Sequence, residues 1–576
     1  MKDDKLTQKT LIIQTLIRSE INISPTVLDM IMSLENPFQS LEILIREVSF
    51  IPQFQSHITP EILNKLTNKK LLRLLQRKEL ENKKEFNELK KSKAEVNKIS
   101  KTSIKLSTQN KEENTHLESK LNQSIEEKSN NVKFSNRLYE STKSHSLYRP
   151  ISKDYDADYK ILKDPTGKLY TNGDYTDFYN LTLDKFTTLN KLMRKRSDVL
   201  SATNINNILR LSSSSEVSTI GLVKNFRETK NQNFFFEIED LTGSINVLIR
   251  KDNENQDNHK LFNHLVYDQM LYVQGTYNPG DNRGRGIIFA DYITKIDIPT
   301  DYQPNMTDLP LSIALISDTH IGSKEFEEKL FNRFISFLNG KIGNSTYRNK
   351  ASKIKYLVIN GDLVDGIGVY PNQEQDLEIS DIYNQYKKAC EFIAEIPEYI
   401  TIFYTAGNHE PVRNAIPRPA VPKKYSEKLI DLGVICLGNP SYIQTHEVNS
   451  LIYHGESIHD MNLLIHDFNI NKPTETMKEL LISRHLAPVF GEKTQIAPTD
   501  KDWLVIDKIP DIFHTGHIHI NGYDRYRHVS LVNSGCFQAQ TDFMKSFGIK
   551  PTPGIVPIIE LDKLSFYPLD IKKMQN

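Results

Sequence analysis

The sequence has no apolar run approaching the ~18 residues that a membrane span requires. Its first twenty residues, MKDDKLTQKTLIIQTLIRSE, hold too short an apolar core for a secretory signal, and no small-residue cleavage site follows. No membrane partner is therefore expected, and the chain is expected in the cytoplasm. Cysteine is scarce, with three in 576 residues (Cys390, Cys436 and Cys536) and no CxxC pair. That argues against a disulfide framework and against a zinc–thiolate site, and fits buried thiols in a reducing compartment. Net charge is absent too. Lys+Arg and Asp+Glu both number 73, so any basic surface for a polyanion must be local. What is present is a chain with 38% hydrophobic and 25% charged residues, the composition of soluble globular domains, and length for several of them.

Five regions follow from the shifts in pattern. Residues 1–72 read as a small helical module. Leu11, Ile12, Leu16 and Ile17 recur at helical spacing, and Pro25 suits a helix start that Ser24 can cap. Such a module is either a tethered docking element or a solvated appendage. Residues 73–150 are Lys, Glu, Asn and Ser with few large apolar side chains. They read as a flexible polar linker, because they bury too little to offset their ordering entropy. Residues 151–213 form a mixed, turn-rich connection with a helix ending in Lys191, Arg194, Lys195 and Arg196, a charge run that suits a helix C-terminus.

Residues 214–300 alternate apolar and polar positions around turn signals such as Asp240-Leu241-Thr242-Gly243. The pattern resembles an OB-fold, a five-stranded Greek-key barrel. Lys224, Arg227, Lys230 and Phe234–Phe236 offer an aromatic and basic face for nucleic acid. Alternatively the phenylalanines fill the barrel, where at least one must point, and the barrel packs on protein. Residues 308–576 alternate short strands (LSIALIS, KYLVING, YITIFYTAG, SLIYHG, DIFHTGH, VSLVNSG) with helices. This is α/β architecture with polar clusters at strand C-termini, where such sheets place their sites. The whole is expected to be a multidomain α+β chain.

Five of those clusters carry chemistry: Ser317–His320, Asn360–Gly366, Ala406–Glu410, Tyr453–Gly455 and His514–His519. Strand alternation puts positions i and i+2 on one side, so Asp318 with His320, and His517 with His519, are expected to face one ion each. Asp362 can bridge two cations, and Asn408 supplies a neutral oxygen. Histidine, aspartate and asparagine without cysteine suit Mn²⁺, Fe or catalytic Zn²⁺. Two such ions ~3.5–4 Å apart clamp a phosphate, activate water and stabilise an in-line displacement. His409 directly follows a ligand and is placed to protonate a leaving oxygen. The catalytic residues are thus expected to be His409, Asp318 and Asp362.

The order DxH, GDxxDG, GNHE, HG, GHxH resembles the calcineurin-like metallophosphoesterases over about half the chain. A barrel directly before such a domain further resembles the small subunits of archaeal family-D DNA polymerases, through DLTGSINVLI, LISDTHIGSKEF, INGDLVDGIG, AGNHEPVR, SRHLAP and HTGHIHINGY. The resemblance implies a metallophosphoesterase sandwich over 308–576. It implies two divalent ions, Mn²⁺ first, held by Asp318, His320, Asp362, Asn408, His517, His519 and one of two further histidines. These are His454, ending an apolar strand before a glycine, and His485, 32 residues before His517; both are kept as candidates. It also implies a live 3′–5′ exodeoxyribonuclease that proofreads for a large catalytic polymerase subunit. The alternatives are a non-catalytic structural subunit and a phosphatase of the same superfamily. DNA is the expected substrate, touched by Lys224, Arg227, Phe235 and Arg413. A sliding clamp or primase is an expected partner of the N-terminal module, and nucleoid association is expected. The resemblance further places a partner interface on PSYIQTHEV and on the stretch from Cys536 to Gly554.

Overall fold

The computed structural model describes residues 148–574, apart from 200, 253–254 and 281–285, together with scattered positions between 12 and 63. The chain divides into two compact units, Met1–Lys143 and Ser144–Asn576. In the first unit, helices Pro25–Met32 and Pro37–Val48 bury Val27, Ile31, Leu41 and Leu44 against one another. Ser24 Oγ accepts the Val27 N–H at 3.4 Å, the cap its position suggested. The helical spacing at Leu11, Leu16 and Ile17, and the polar linker up to residue 147, lie outside the described residues.

The second unit opens with strand β1 (Tyr159–Lys163) and helix Tyr175–Met193, whose first turn is capped by Asp174 accepting from the Asp177 N–H. A closed five-stranded barrel follows: β2 (Ser215–Glu228), β3 (Phe234–Asp240), β4 (Gly243–Ile249), β5 (Met270–Asn278) and β6 (Ile287–Thr294), ordered β2-β3-β4-β6-β5. The three phenylalanines of β3 divide by strand alternation. Phe236 is fully buried in the barrel core with Val223, Val247 and Val273. Phe234, on the same side, stacks at 4.2 Å on Phe262 of helix Gln256–Asn263. Phe235 faces outward, with the Arg227 guanidinium 5.0 Å from its ring centre. Lys224 is held by Glu237 and Glu239 at 3.6 and 3.4 Å. Of the expected nucleic-acid face, Lys224 is thus paired with carboxylates, while Arg227 and Lys230 are exposed and Phe235 is half-buried beside Arg227.

Two six-stranded sheets then pack face to face. One has the order β10-β9-β8-β7-β16-β17 and the other β14-β15-β13-β12-β11-β1. The first is built from β7 (Ser312–Ile316), β8 (Ile354–Asn360), β9 (Thr401–Thr405), β10 (Ile435–Leu437), β16 (Ile555–Glu560) and β17 (Ser565–Asp570). The second is built from β11 (Ser441–Thr445), β12 (Val448–Ile452), β13 (Ile512–Thr515), β14 (Gly522–Tyr526), β15 (Val529–Asn533) and β1. Alternation explains the layers. Ile313, Leu315, Tyr356 and Val358 meet Ile443, Ile452 and Ile512 between the sheets. Ala314, Ile316, Leu357 and Ile359 face helices Glu328–Leu338 and Ile382–Ile393 outside. Strands β7 to β10 are parallel, so their C-terminal ends gather on one edge.

One expectation changes here. Residues 151–213 are not merely a connection, since β1 pairs antiparallel with β11 and completes the second sheet. The candidate interface segment PSYIQTHEV is built around β11, which lies between β1 and β12. Among the described residues no helix is long and apolar enough to cross a membrane.

Candidate metal centre

Each candidate but His485, which follows helix Pro473–Ser483, lies just beyond a strand, not within it. Asp318 and His320 follow β7, Asp362 follows β8, Asn408 and His409 follow β9, His454 follows β12, and His517 and His519 follow β13. Alternation is therefore not what aims them. Asp318, His320, Asp362, His517 and His519 all adopt left-handed backbone, with φ of 52°, 51°, 51°, 66° and 61°. Such a conformation costs roughly 1–3 kcal/mol for a residue with a Cβ and persists only where surrounding structure enforces it. It turns the chain sharply enough for alternate residues of one loop to point inward. Close approach explains two glycines: a Cβ on Gly361 would collide with His454 Nδ1, and one on Gly407 with the Asp362 carboxylate.

The side chains converge in three overlapping groups, each with ligand atoms within 4.8 Å of one another: Asp318–His320–His519, His320–Asp362–His409 and Asp362–His454–His517. His320 Nε2 and His519 Nε2 lie 3.1 Å apart, and His519 Nε2 lies 3.4 Å from Asp318 Oδ1. Asp362 Oδ2 is 3.9 Å from His320 Nε2 and 3.2 Å from His454 Nε2, which places one carboxylate between two donor sets. Asn408 Oδ1 joins the second set, 3.1 Å from His454 Nε2.

This donor set fits a pair of cations. Asp318 Oδ1 is buried without a hydrogen-bond donor, an expensive state for a carboxylate oxygen unless positive charge is brought to it. Burial disfavours a charged His454 imidazole, yet Asp362 and Asp318 raise it to about 9. Burial likewise opposes charge on His519, and Asp318 again raises it well above the usual range. The carboxylates thus favour positive charge between them, the demand that metal ions would meet.

Supporting contacts fix the tautomers. His320 Nδ1 donates to Asp365 Oδ1 at 2.9 Å, and Gln373 donates to the other oxygen of Asp365 at 3.0 Å. His454 Nδ1 donates to the Asn360 carbonyl at 2.8 Å. His409 Nδ1 donates to the Asp365 carbonyl at 2.7 Å, and its backbone N–H donates to Asp362 Oδ1 at 2.9 Å. That leaves His409 Nε2 as the ring's uncommitted nitrogen, in a residue lining the cleft over the centre, whose volume is about 540 Å³.

Sequence reasoning named the ligand candidates but missed what holds them. Buried Glu410 accepts from the backbone N–H groups of Asp362, Leu363 and Gly407 at 3.0, 2.8 and 2.6 Å, and from the Tyr404 hydroxyl at 2.8 Å. In sequence it stood at the end of the Ala406–Glu410 cluster with no role assigned to it.

Two expected site residues fall elsewhere. His485 is in none of the three groups. Its Nε2 donates to Asp502 at 2.9 Å and its Nδ1 accepts the Ala487 N–H at 3.1 Å, so both nitrogens are committed within the fold. Of the two, His454 is the one that lies in a group able to hold an ion. Arg413 spends its guanidinium on the Pro417 and Leu169 carbonyls, which anchors the loop after β9 and leaves little to offer a phosphate.

Fold and site together define a calcineurin-like metallophosphoesterase domain, and residues 311–521 match the calcineurin-like phosphoesterase family. The likeness to individual relatives runs further. A DNA polymerase II small subunit from Methanothermobacter thermautotrophicus is 38% identical over 414 residues, covering 72% of this chain and 83% of that one. Those of Methanocaldococcus jannaschii and Pyrococcus furiosus are each 37% identical, over 73% and 72% of this chain and 70% and 68% of theirs. The chain belongs to the DNA polymerase II small subunit family.

Proposed function

We propose that this subunit is a metal-dependent 3′–5′ exodeoxyribonuclease that proofreads for a large catalytic polymerase chain. The observation that carries the reading is the retention of a full ligand set, with Asp362 shared between two donor groups and Asp318 Oδ1 buried without a donor. A subunit kept only for assembly would have no use for so many buried carboxylates and imidazoles turned toward one another, since burying such groups is costly. Asp318, His320, His519 and Asp362 would hold one ion, and Asp362, Asn408, His454 and His517 the other, with Mn²⁺ the first choice and Fe or Zn²⁺ the others. When bound, the pair supplies charge for the phosphate and activates water for in-line attack. In that attack a phosphorus–oxygen bond forms to water and the bond to the 3′ oxygen of the preceding nucleotide breaks. His409 is oriented through its Nδ1–H, so as an imidazolium it would give its Nε2 proton to that departing oxygen and be left as the neutral Nδ1–H ring. The products are a 5′-mononucleotide and a strand shorter by one.

DNA is the substrate on this reading, and the barrel, read as an OB-fold, contributes Arg227 and Phe235 to holding it. The family name implies a large polymerase subunit as partner. The N-terminal module is the candidate contact for a sliding clamp or primase, and a cytoplasmic, nucleoid-associated location follows from the role.

The test is degradation of a 5′-labelled single-stranded oligonucleotide in Mn²⁺ or EDTA. A metal-dependent ladder from the 3′ end is expected. His409→Ala should lower kcat by about 10²–10⁴-fold with metal content unchanged. Normal cleavage by that variant would remove His409 from the chemistry. No cleavage by metal-loaded wild type, alone or with its large subunit, would leave the chain as a structural subunit.

A further inference from the structure

From the metal centre a line of aromatic rings leads out to solvent. His454 and His517 lie 5.1 Å apart, centre to centre. His517 meets His459 of helix Ser457–Leu464 at 5.4 Å, His459 meets Phe547 at 6.2 Å, and Phe547 meets Phe543 at 4.8 Å. His454 is buried and His517 and His459 are half-buried, whereas Phe547 is 49% and Phe543 56% exposed. Lys493 places its ammonium 5.9 Å from the centre of Phe547. His459, Lys493, Phe543 and Phe547 all line the cleft that contains His409.

The two phenylalanines are not needed to seat their own segment. Helix Asp542–Ser546 is anchored by Met544, and the following turn by Ile549; both are buried in the core on the outer face of the second sheet. Phe543 and Phe547 belong to no core cluster among the described residues. Two large exposed rings, edged by a lysine and opening on a phosphoesterase centre, have the chemistry of a stacking platform for nucleobases, whose faces are apolar and whose backbone is anionic.

We infer that Phe543 and Phe547, with Lys493 at their edge, stack the base of the 3′-terminal nucleotide and so select unpaired ends. The inference rests on the nuclease reading above and extends it to specificity. A terminal base inside a duplex is already paired and stacked, and freeing it costs a few kcal/mol, least at a mismatch. A platform that engages only a freed base therefore favours mismatched and single-stranded ends over paired ones. Any base has a face to stack, so the selection is for pairing state and not for sequence.

The test is binding of the full chain in EDTA, where no turnover competes, to two 5′-labelled single strands that differ only at the 3′ end. One ends in a nucleotide and the other in an abasic residue. Stacking is worth ~5- to 150-fold per base, and wild type should prefer the intact end by a factor in that range. Phe543→Ala with Phe547→Ala should bring the preference to within twofold while melting temperature and bound Mn²⁺ stay at wild-type values. Equal binding of the two strands by wild type, or an undiminished preference in the double variant, overturns the inference. The outcomes for the two readings separate. Cleavage in Mn²⁺ without an end preference leaves the nuclease and removes the platform. A preference lost in the double variant, with no cleavage under any condition, keeps the platform and removes the nuclease.

Discussion

Asp362 is the residue on which both donor sets close, within 3.9 Å of His320 Nε2 and 3.2 Å of His454 Nε2. Asp318 serves only one set. Metal stoichiometry should follow that asymmetry: about two Mn²⁺ per wild-type chain, about one for Asp318→Ala and none retained tightly by Asp362→Ala, read by elemental analysis after gel filtration. Equal loss in both variants would refute the bridging role. Glu410 makes a second residue-scale prediction. Four donors converge on its two oxygens, and an amide in their place would set its own N–H against one of theirs. Glu410→Gln should cost about 1–3 kcal/mol of stability and weaken Mn²⁺ binding by about 10–100-fold; unchanged binding would make the residue incidental. The converging donors were legible because each stands at a strand end in a chemically coherent order. Glu410 was not, since nothing in its neighbours' identities tells that their N–H groups turn toward it. Nor was the discharge of His485, because its partner Asp502 is unremarkable in sequence.

At the scale of elements, the strands of the sandwich could be read from their apolar runs, but β1 could not. YKILK is five residues with two lysines, and its role is set by β11, far along the chain. Its removal would strip β11 of a neighbour and leave an unpaired edge, a template for association. A chain starting at residue 175 should therefore melt lower and scatter light on heating, where one starting at 144 should not. Equal behaviour would make β1 dispensable. Strand β16 gives a pH prediction. Burial raises the Glu560 carboxyl, but the Ser565 hydroxyl, Lys350 and Lys353 outweigh it and hold it at about 2. Lys350 and Lys353 reach Glu560 Oε1 at 3.1 and 3.3 Å from helix Ser345–Lys353. A depressed carboxyl stabilises the fold above its unfolded value near 4.5, and that share is lost as pH falls toward 2. Glu560→Gln should thus be less stable than wild type at pH 7 by roughly 1 kcal/mol. The gap should close by pH 2, as followed by urea unfolding across that range; a constant gap would mean that packing, not charge, is what Glu560 supplies.

At the scale of the whole molecule, the barrel and the sandwich share one compact unit. They are joined through a buried pair, Lys295 on the barrel side and Glu479 of helix Pro473–Ser483, at 2.5 Å, with Gln269 donating to the same carboxylate at 3.0 Å. The unit Ser144–Asn576 contains every proposed ligand, so removing residues 1–143 should leave exonuclease rate and metal content unchanged. The melting temperature of that shortened chain is then the cleanest reporter of the ions. A ligand at about 100 times its Kd stabilises the folded state by about 2.7 kcal/mol per site, and two sites together by roughly 5. For a domain of a few hundred residues each kcal/mol is worth about 2–4 °C, so EDTA should lower the melting temperature by roughly 10 °C or more. Asp362→Ala should melt at one temperature with or without EDTA, since it has no tightly held ion to lose. If EDTA left wild type unmoved, the buried Asp318 oxygen would have to be satisfied by the protein alone, and the two-ion centre, with the nuclease built on it, would fall together.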